Sequence, residues 1–201
     1  MQTEMLELEV RHANAVLDTG FAGETAFGHL ETAQHKRRNA YYMPRISKAD
    51  VRDGVPELSL VFAHGTVCFR FLIHDDRHLE IEARWDVRNV RRLCLQLPVI
   101  VWRGATLKLD GAVAFGDAKV PAELTRELSV SGGPFGSQSV LRIPADAHCR
   151  VHRDLTILRS YLEPLPEPER YQPLFGMALV SCQWTDPQPT GKASFHAITG
   201  R

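Results

Sequence analysis

Three signals are missing from this chain of 201 residues, and each absence narrows what it does. No run approaches the ~20 apolar residues that a membrane-spanning helix needs. Net charge is zero, with 24 basic and 24 acidic residues. A bulk electrostatic pull toward nucleic acid or an anionic membrane is therefore absent. The local run Arg84, Arg88, Arg91, Arg92 is flanked by Asp86 and reads as a solvated turn. The four cysteines, Cys68, Cys94, Cys149 and Cys182, form no CxxC pair. That excludes zinc-ribbon and thioredoxin spacings. Each sits among apolar or strand-like residues, so buried free thiols are expected.

Catalytic signatures are missing as well. There is no GxSxG elbow, no HExxH and no HxH ligand set. The Gly-rich stretch Ser129 to Gln138 lacks the GxxxxGK[ST] pattern, so it reads as a turn rather than a phosphate cradle. Whether the chain is an enzyme stays open at this level. The start, Met1-Gln2-Thr3-Glu4, has neither the basic nor the apolar region of a secretory signal. The chain as written is expected in the cytoplasm, or outside the cell if it is a domain of a longer secreted protein. Lysine is scarce, with 5 Lys against 19 Arg. The planar guanidinium suits carboxylates, phosphates and sugar hydroxyls, although a GC-rich coding bias gives the same surplus.

What is present is alternation. Val67, Phe69, Phe71 and Ile73 occupy every second position, and so do Leu79, Ile81, Ala83 and Trp85. Period two marks strands with one buried face. Making the two apolar faces coincide fixes a hairpin register with Ile73 opposite Leu79 and Val67 opposite Trp85. Arg70 then faces Glu82, an opposite-charge pair across the strands. Similar alternation at Leu58 to Phe62 and Leu93 to Val101 predicts that the meander continues on both sides. Asp110-Gly111 marks a hairpin turn after Leu107 and Leu109. Further strands are expected at 137–143, 147–152, 175–184 and 193–199, and Leu6, Leu8 and Val10 also alternate. Residues 31–40 are a helix candidate, and Asp154 to Leu162 is either helix or strand. The expectation is a single mostly β domain over 1–201, an antiparallel β-sandwich of meander or Greek-key type with little helix. Residues 19–55 are a loop or helical insertion, and 163–173 a Pro-rich connector.

The hairpin register places His74 and His78 opposite one another at the loop mouth. Opposed Cβ atoms lie about 5 Å apart, close enough for two imidazoles to share a divalent metal. Asp76, with Asp75 and Glu80 near it, offers oxygens, and the competing reading is an ordinary solvated turn. His148, Arg150 and His152 share one face of a strand, while Cys149 and Val151 point inward. The two histidines are about 13 Å apart there, too far to chelate. They form a polar row suited to a hydroxyl-rich or anionic ligand, or a solvated outer face. Trp102 and Trp184 offer flat rings for sugar stacking, with Tyr41, Tyr42 and Tyr161 as further rings, whereas Trp85 fits the core.

The architecture is similar, at the level of fold alone, to β-sandwich domains of carbohydrate-active enzymes, and fold does not carry function. The leading expectation is a carbohydrate-binding or accessory module of a polysaccharide-processing system, with a polysaccharide or oligosaccharide as partner. The ligand contacts would be Trp102, Trp184, His148, Arg150 and His152. One alternative is a metal-dependent enzyme using His74, His78 and Asp76. Another is a structural protein that assembles into homo-oligomers through sheet edges. Nucleic acid and membrane partners are not expected.

Overall fold

The computed structural model describes residues 28–34, 38–42, 46–102, 105–112, 122–132, 138–153 and 175–200. Strands fill most of them, all pairing antiparallel, and no helix occurs among the described residues. They form a β-sandwich of two sheets. One sheet contains β3 (Ile46–Arg52), β4 (Val55–Phe62), β5 (Gly65–Ile73), β6 (His78–Val87), β8 (Thr106–Leu109), β10 (Glu127–Ser131), β11 (Gln138–Arg142) and β14 (Thr190–Gly200). Its order is β3-β4-β5-β6-β14-β11-β10-β8. The other contains β1 (Gly28–Gln34), β2 (Arg38–Tyr42), β7 (Arg92–Trp102), β9 (Ala122–Leu124), β12 (His148–Arg153) and β13 (Phe175–Thr185). Its order is β2-β1-β7-β13-β12-β9. No helix among the described residues is long and apolar enough to cross a membrane.

The turns explain the meander. Asp53 and Gly54 both have positive φ, 52° and 78°, which a two-residue hairpin turn of primed type requires. Gly65 has φ 140°, and a Cβ there would run into the Asp86 carbonyl, so the close approach of β5 to β6 demands glycine. The β5–β6 register is the one expected from alternation, with Ile73 opposite Leu79, Arg70 opposite Glu82 and Val67 opposite Trp85.

The inward faces merge into one core. Leu58, Leu60, Val67, Phe69, Ala83 and Phe195 come from the eight-stranded sheet, and Leu93, Leu95, Leu97, Val151 and Val180 from the other. The rings of Trp85 and Trp184 meet across the two sheets, with centroids 5.3 Å apart.

Four expectations are corrected. The meander does not run on from β6 into β7, because the chain crosses to the other sheet and β14 takes the place beside β6. The described residues of 31–40, namely 31–34 and 38–40, are not helical: they belong to β1 and β2, which pair antiparallel. The 19–55 segment is thus no loop or helical insertion over its described part, since it supplies β1, β2 and β3. Two of the four cysteines are not free thiols: Cys149 and Cys182 face one another on β12 and β13 and form a disulfide buried in the core. Cys68 and Cys94 remain thiols. The readings at 6–10, 154–162 and 163–173 lie outside the described residues.

Candidate functional site

The β5–β6 loop is tied down before it presents any chemistry. Asp75 accepts a hydrogen bond from the Arg77 amide at 2.7 Å, and the His74 amide donates to the His78 carbonyl at 3.0 Å. The Thr199 amide donates to the Arg77 carbonyl at 2.8 Å, fixing the loop to β14. With the backbone held, the His74 and His78 rings lie side by side on the outer face, their centroids 4.6 Å apart.

β14 then brings in a third imidazole. Ile198 pairs with His78 and His196 with Glu80, so His196 lies diagonally across from His78 on the same face. The His78 Nε2 and His196 Nδ1 atoms are 3.1 Å apart. Glu80 completes the group. Its Oε1 accepts the Ser194 hydroxyl at 2.7 Å, and its Oε2 lies 2.9 Å from His74 Nε2. The Ser194 hydroxyl, and after it the His74 imidazole, hold the Glu80 carboxyl below the usual carboxylate range, against its partial burial.

The nitrogen separation allows two states. One is an N–H···N hydrogen bond, which needs one ring to donate and the other to accept. The other is a shared ion. Two nitrogens 3.1 Å apart, each at about 2.0–2.1 Å from a metal, subtend roughly 100° at it. As the side chains stand, no three His, Cys, Asp or Glu among the described residues converge to hold a metal. The Glu80 oxygens are instead turned to Ser194 and His74. Asp76 is not part of the group: its side chain is 85% exposed and its carboxylate lies 3.9 Å from Arg77.

The outer face beside this cluster neutralises itself. Arg70 Nε lies 2.9 Å from Glu57 and its Nη1 3.5 Å from Glu82, while Arg84 Nε lies 2.7 Å from Glu82. This lattice of opposite charges leaves little unbalanced field for a ligand.

The second candidate row is only partly assembled. His148 and Arg150 are exposed on β12 and share Glu123 of β9, at 3.4 and 2.9 Å. Cys149 and Val151 point into the core. The side chains of His152 and Trp102 lie outside the described residues. Trp184 is a correction: it is 8% exposed, packs on Trp85 and donates its indole N–H to Asp146 at 3.1 Å. A ring enclosed in this way cannot stack on a sugar. Every described Trp and Phe side chain is buried, namely Phe62, Phe69, Phe71, Trp85, Trp184 and Phe195. An open cleft at the far end of β5 and β6, lined by His64, Thr66, Asp86 and Arg88, presents no Trp, Tyr or Phe ring.

Sequence reasoning missed His196, Ser194 and Glu123. His196 is 118 residues from its partner His78, and only the β6–β14 pairing joins them. Alternation showed that 193–199 is a strand, but nothing local shows which strand it lies beside. No protein-family model matches the chain, and no curated protein matches it.

Proposed function

We propose that this chain is a divalent-metal-binding β-sandwich module, with His78 and His196 as its nitrogen ligands. The observation that carries the reading is the 3.1 Å separation of His78 Nε2 and His196 Nδ1. Two imidazole nitrogens this close can close on one ion and supply half of a transition-metal site. They stand on β6 and β14, adjacent interior strands of the eight-stranded sheet, so the backbone positions are set by the ladder on both sides. The test is calorimetric titration of the purified chain with Zn²⁺, Co²⁺ and Ni²⁺. Saturable one-to-one binding is expected, weakened about 100-fold or more by His78→Ala or His196→Ala. A wild-type chain that binds none of the three ions overturns the reading.

Carbohydrate binding is the second reading. Its support among the described side chains is now the exposed Glu123, His148 and Arg150 group, which is suited to bonding hydroxyls. The buried aromatics weigh against it, because a sugar face needs an accessible ring. Affinity electrophoresis in polysaccharide gels decides it: retardation abolished by Arg150→Ala supports the reading, and unretarded migration in every gel removes it.

A further inference from the structure

We infer that Glu80 supplies the third protein ligand to the ion held by His78 and His196, and that His74 competes with the ion for the Glu80 carboxylate. This rests on the two-imidazole reading above and goes beyond it by naming the ligand set and the device that controls it.

Glu80 pairs directly with His196 across the β6–β14 seam and lies two residues from His78 along β6. All three project from the same face. Directly opposed Cβ atoms lie about 5 Å apart and diagonal ones about 7–8 Å, within reach of two imidazoles and a carboxylate closing on one ion. The Glu80 carboxylate also leans toward the right seam. Its Oε1 reaches Ser194 on β14, and β6–β14 is the seam over which the His78 and His196 nitrogens meet. His74 stands on the other side, beyond the end of β5, with its ring beside that of His78 and its Nε2 at Glu80 Oε2.

His74 therefore occupies the oxygen that an ion would take. Its Nε2 lies 2.9 Å from Glu80 Oε2, and its ring, at 46% side-chain exposure, has solvent to move into. Ion entry exchanges two contacts. The His78–His196 contact opens and the ring that donated its N–H moves that proton through solvent to its other nitrogen, so that both facing nitrogens present lone pairs, and Glu80 Oε2 passes from His74 to the metal. Ser194 keeps its hold on Oε1 and aims the carboxylate. Two neutral imidazoles and one carboxylate leave a divalent ion with net charge +1 and open positions. Such a set favours Mn²⁺, Fe²⁺, Co²⁺, Ni²⁺ or Zn²⁺ over Ca²⁺ and Mg²⁺, which prefer all-oxygen shells. The open positions take water or a small anion.

The experiment compares the wild-type chain with Glu80→Gln, Ser194→Ala, His74→Ala and His78→Ala, using Co²⁺ titration followed by calorimetry and by the visible absorption of the bound ion. Glu80→Gln is expected to weaken Co²⁺ at least 10-fold and to change the visible band, because an oxygen ligand is lost. Ser194→Ala is expected to weaken it a few-fold with the band retained. His74→Ala is expected to bind as tightly as wild type or several-fold more tightly. Wild-type affinity and spectrum in Glu80→Gln would overturn the inference. So would a loss in His74→Ala as large as that in His78→Ala, since His74 would then be the ligand and Glu80 its support. Undiminished binding in His78→Ala would instead remove the underlying two-imidazole reading, which separates the two failures. Circular dichroism checks folding of each variant. Should Glu80→Gln not fold, Glu80→Asp, which keeps the charge but shortens its reach, is expected to weaken Co²⁺ several-fold, and wild-type affinity there overturns the inference equally.

Discussion

At the scale of single residues, Asp110 gathers three backbone amides and a hydroxyl on one carboxylate. It occupies the left-handed region with φ 52°, followed by Gly111 at 75°, in a turn closed by the Ala112 amide donating to the Leu109 carbonyl at 2.9 Å. Its carboxylate accepts from the amides of Thr125 at 2.9 Å, Arg126 at 2.7 Å and Glu127 at 3.0 Å, and from the Thr125 hydroxyl at 2.9 Å. Partial burial pushes the carboxyl upward, but the Glu127, Thr125 and Arg126 amides and the Thr125 hydroxyl outweigh it and hold it below its ordinary value. A depressed carboxyl contributes stability that is present above its unfolded pKa of about 3.9 and is lost as pH falls through the lower folded value. Asp110→Ala is therefore expected to cost about 1–3 kcal/mol at neutral pH, with the gap to wild type closing below about pH 4. Urea unfolding of both proteins from pH 7 to pH 2 measures it, and a gap that widens on acidification would refute the assignment. Gly191 makes a second residue-scale prediction. It pairs with Trp85, and a Cβ on it would enter the indole ring. Gly191→Ala is expected to displace the Trp85 ring from its contact with the Gln188 carbonyl and to cost roughly 1–3 kcal/mol. A red-shifted tryptophan emission with a lowered unfolding midpoint is the expected signature.

At the scale of strands and hairpins, legibility followed sequence distance. The β5–β6 register was readable because two alternating runs separated by a tight loop have only one alignment that buries both apolar sets. That alignment also carried the His74–His78 contact, so half of the candidate site was legible. The rest was not. Leu93, Leu95 and Leu97 would serve as an inward face in either sheet, so nothing local shows that β7 leaves the meander. His196 depends on the same long-range pairing. The polar 19–55 segment hid its strands because Lys48, Asp50 and Arg52 line the outer face of an edge, where alternation is weak. The disulfide was hidden too, since four cysteines allow several pairings and only the β12–β13 register selects Cys149 with Cys182. The expected outcome is two titratable thiols per chain after denaturation without reductant, and four after reduction. Replacing Cys149 and Cys182 together with Ala should lower stability by about 2–4 kcal/mol, read from the unfolding midpoint.

At the scale of the molecule, the edges bear on self-association. Edge strands template pairing with another copy when they are long, flat and apolar. Here β8 spans Thr106–Leu109 and β9 only Ala122–Leu124, and β3 carries Lys48, Asp50 and Arg52. Light scattering over a hundredfold concentration range is expected to show no growth in mass from edge pairing at these strands. Growth abolished by proline substitutions in β3 would restore the assembly reading. The position of β14 has a consequence in time. It is the last-made strand of the eight-stranded sheet, yet it lies inside it, between β6 and β11. Until residues 190–200 are made, β6 and β11 lack the strand that joins them, and the histidine pair has one member. The β3–β6 meander pairs by local hairpins alone, but the join between the two halves of the larger sheet has to wait for this one strand.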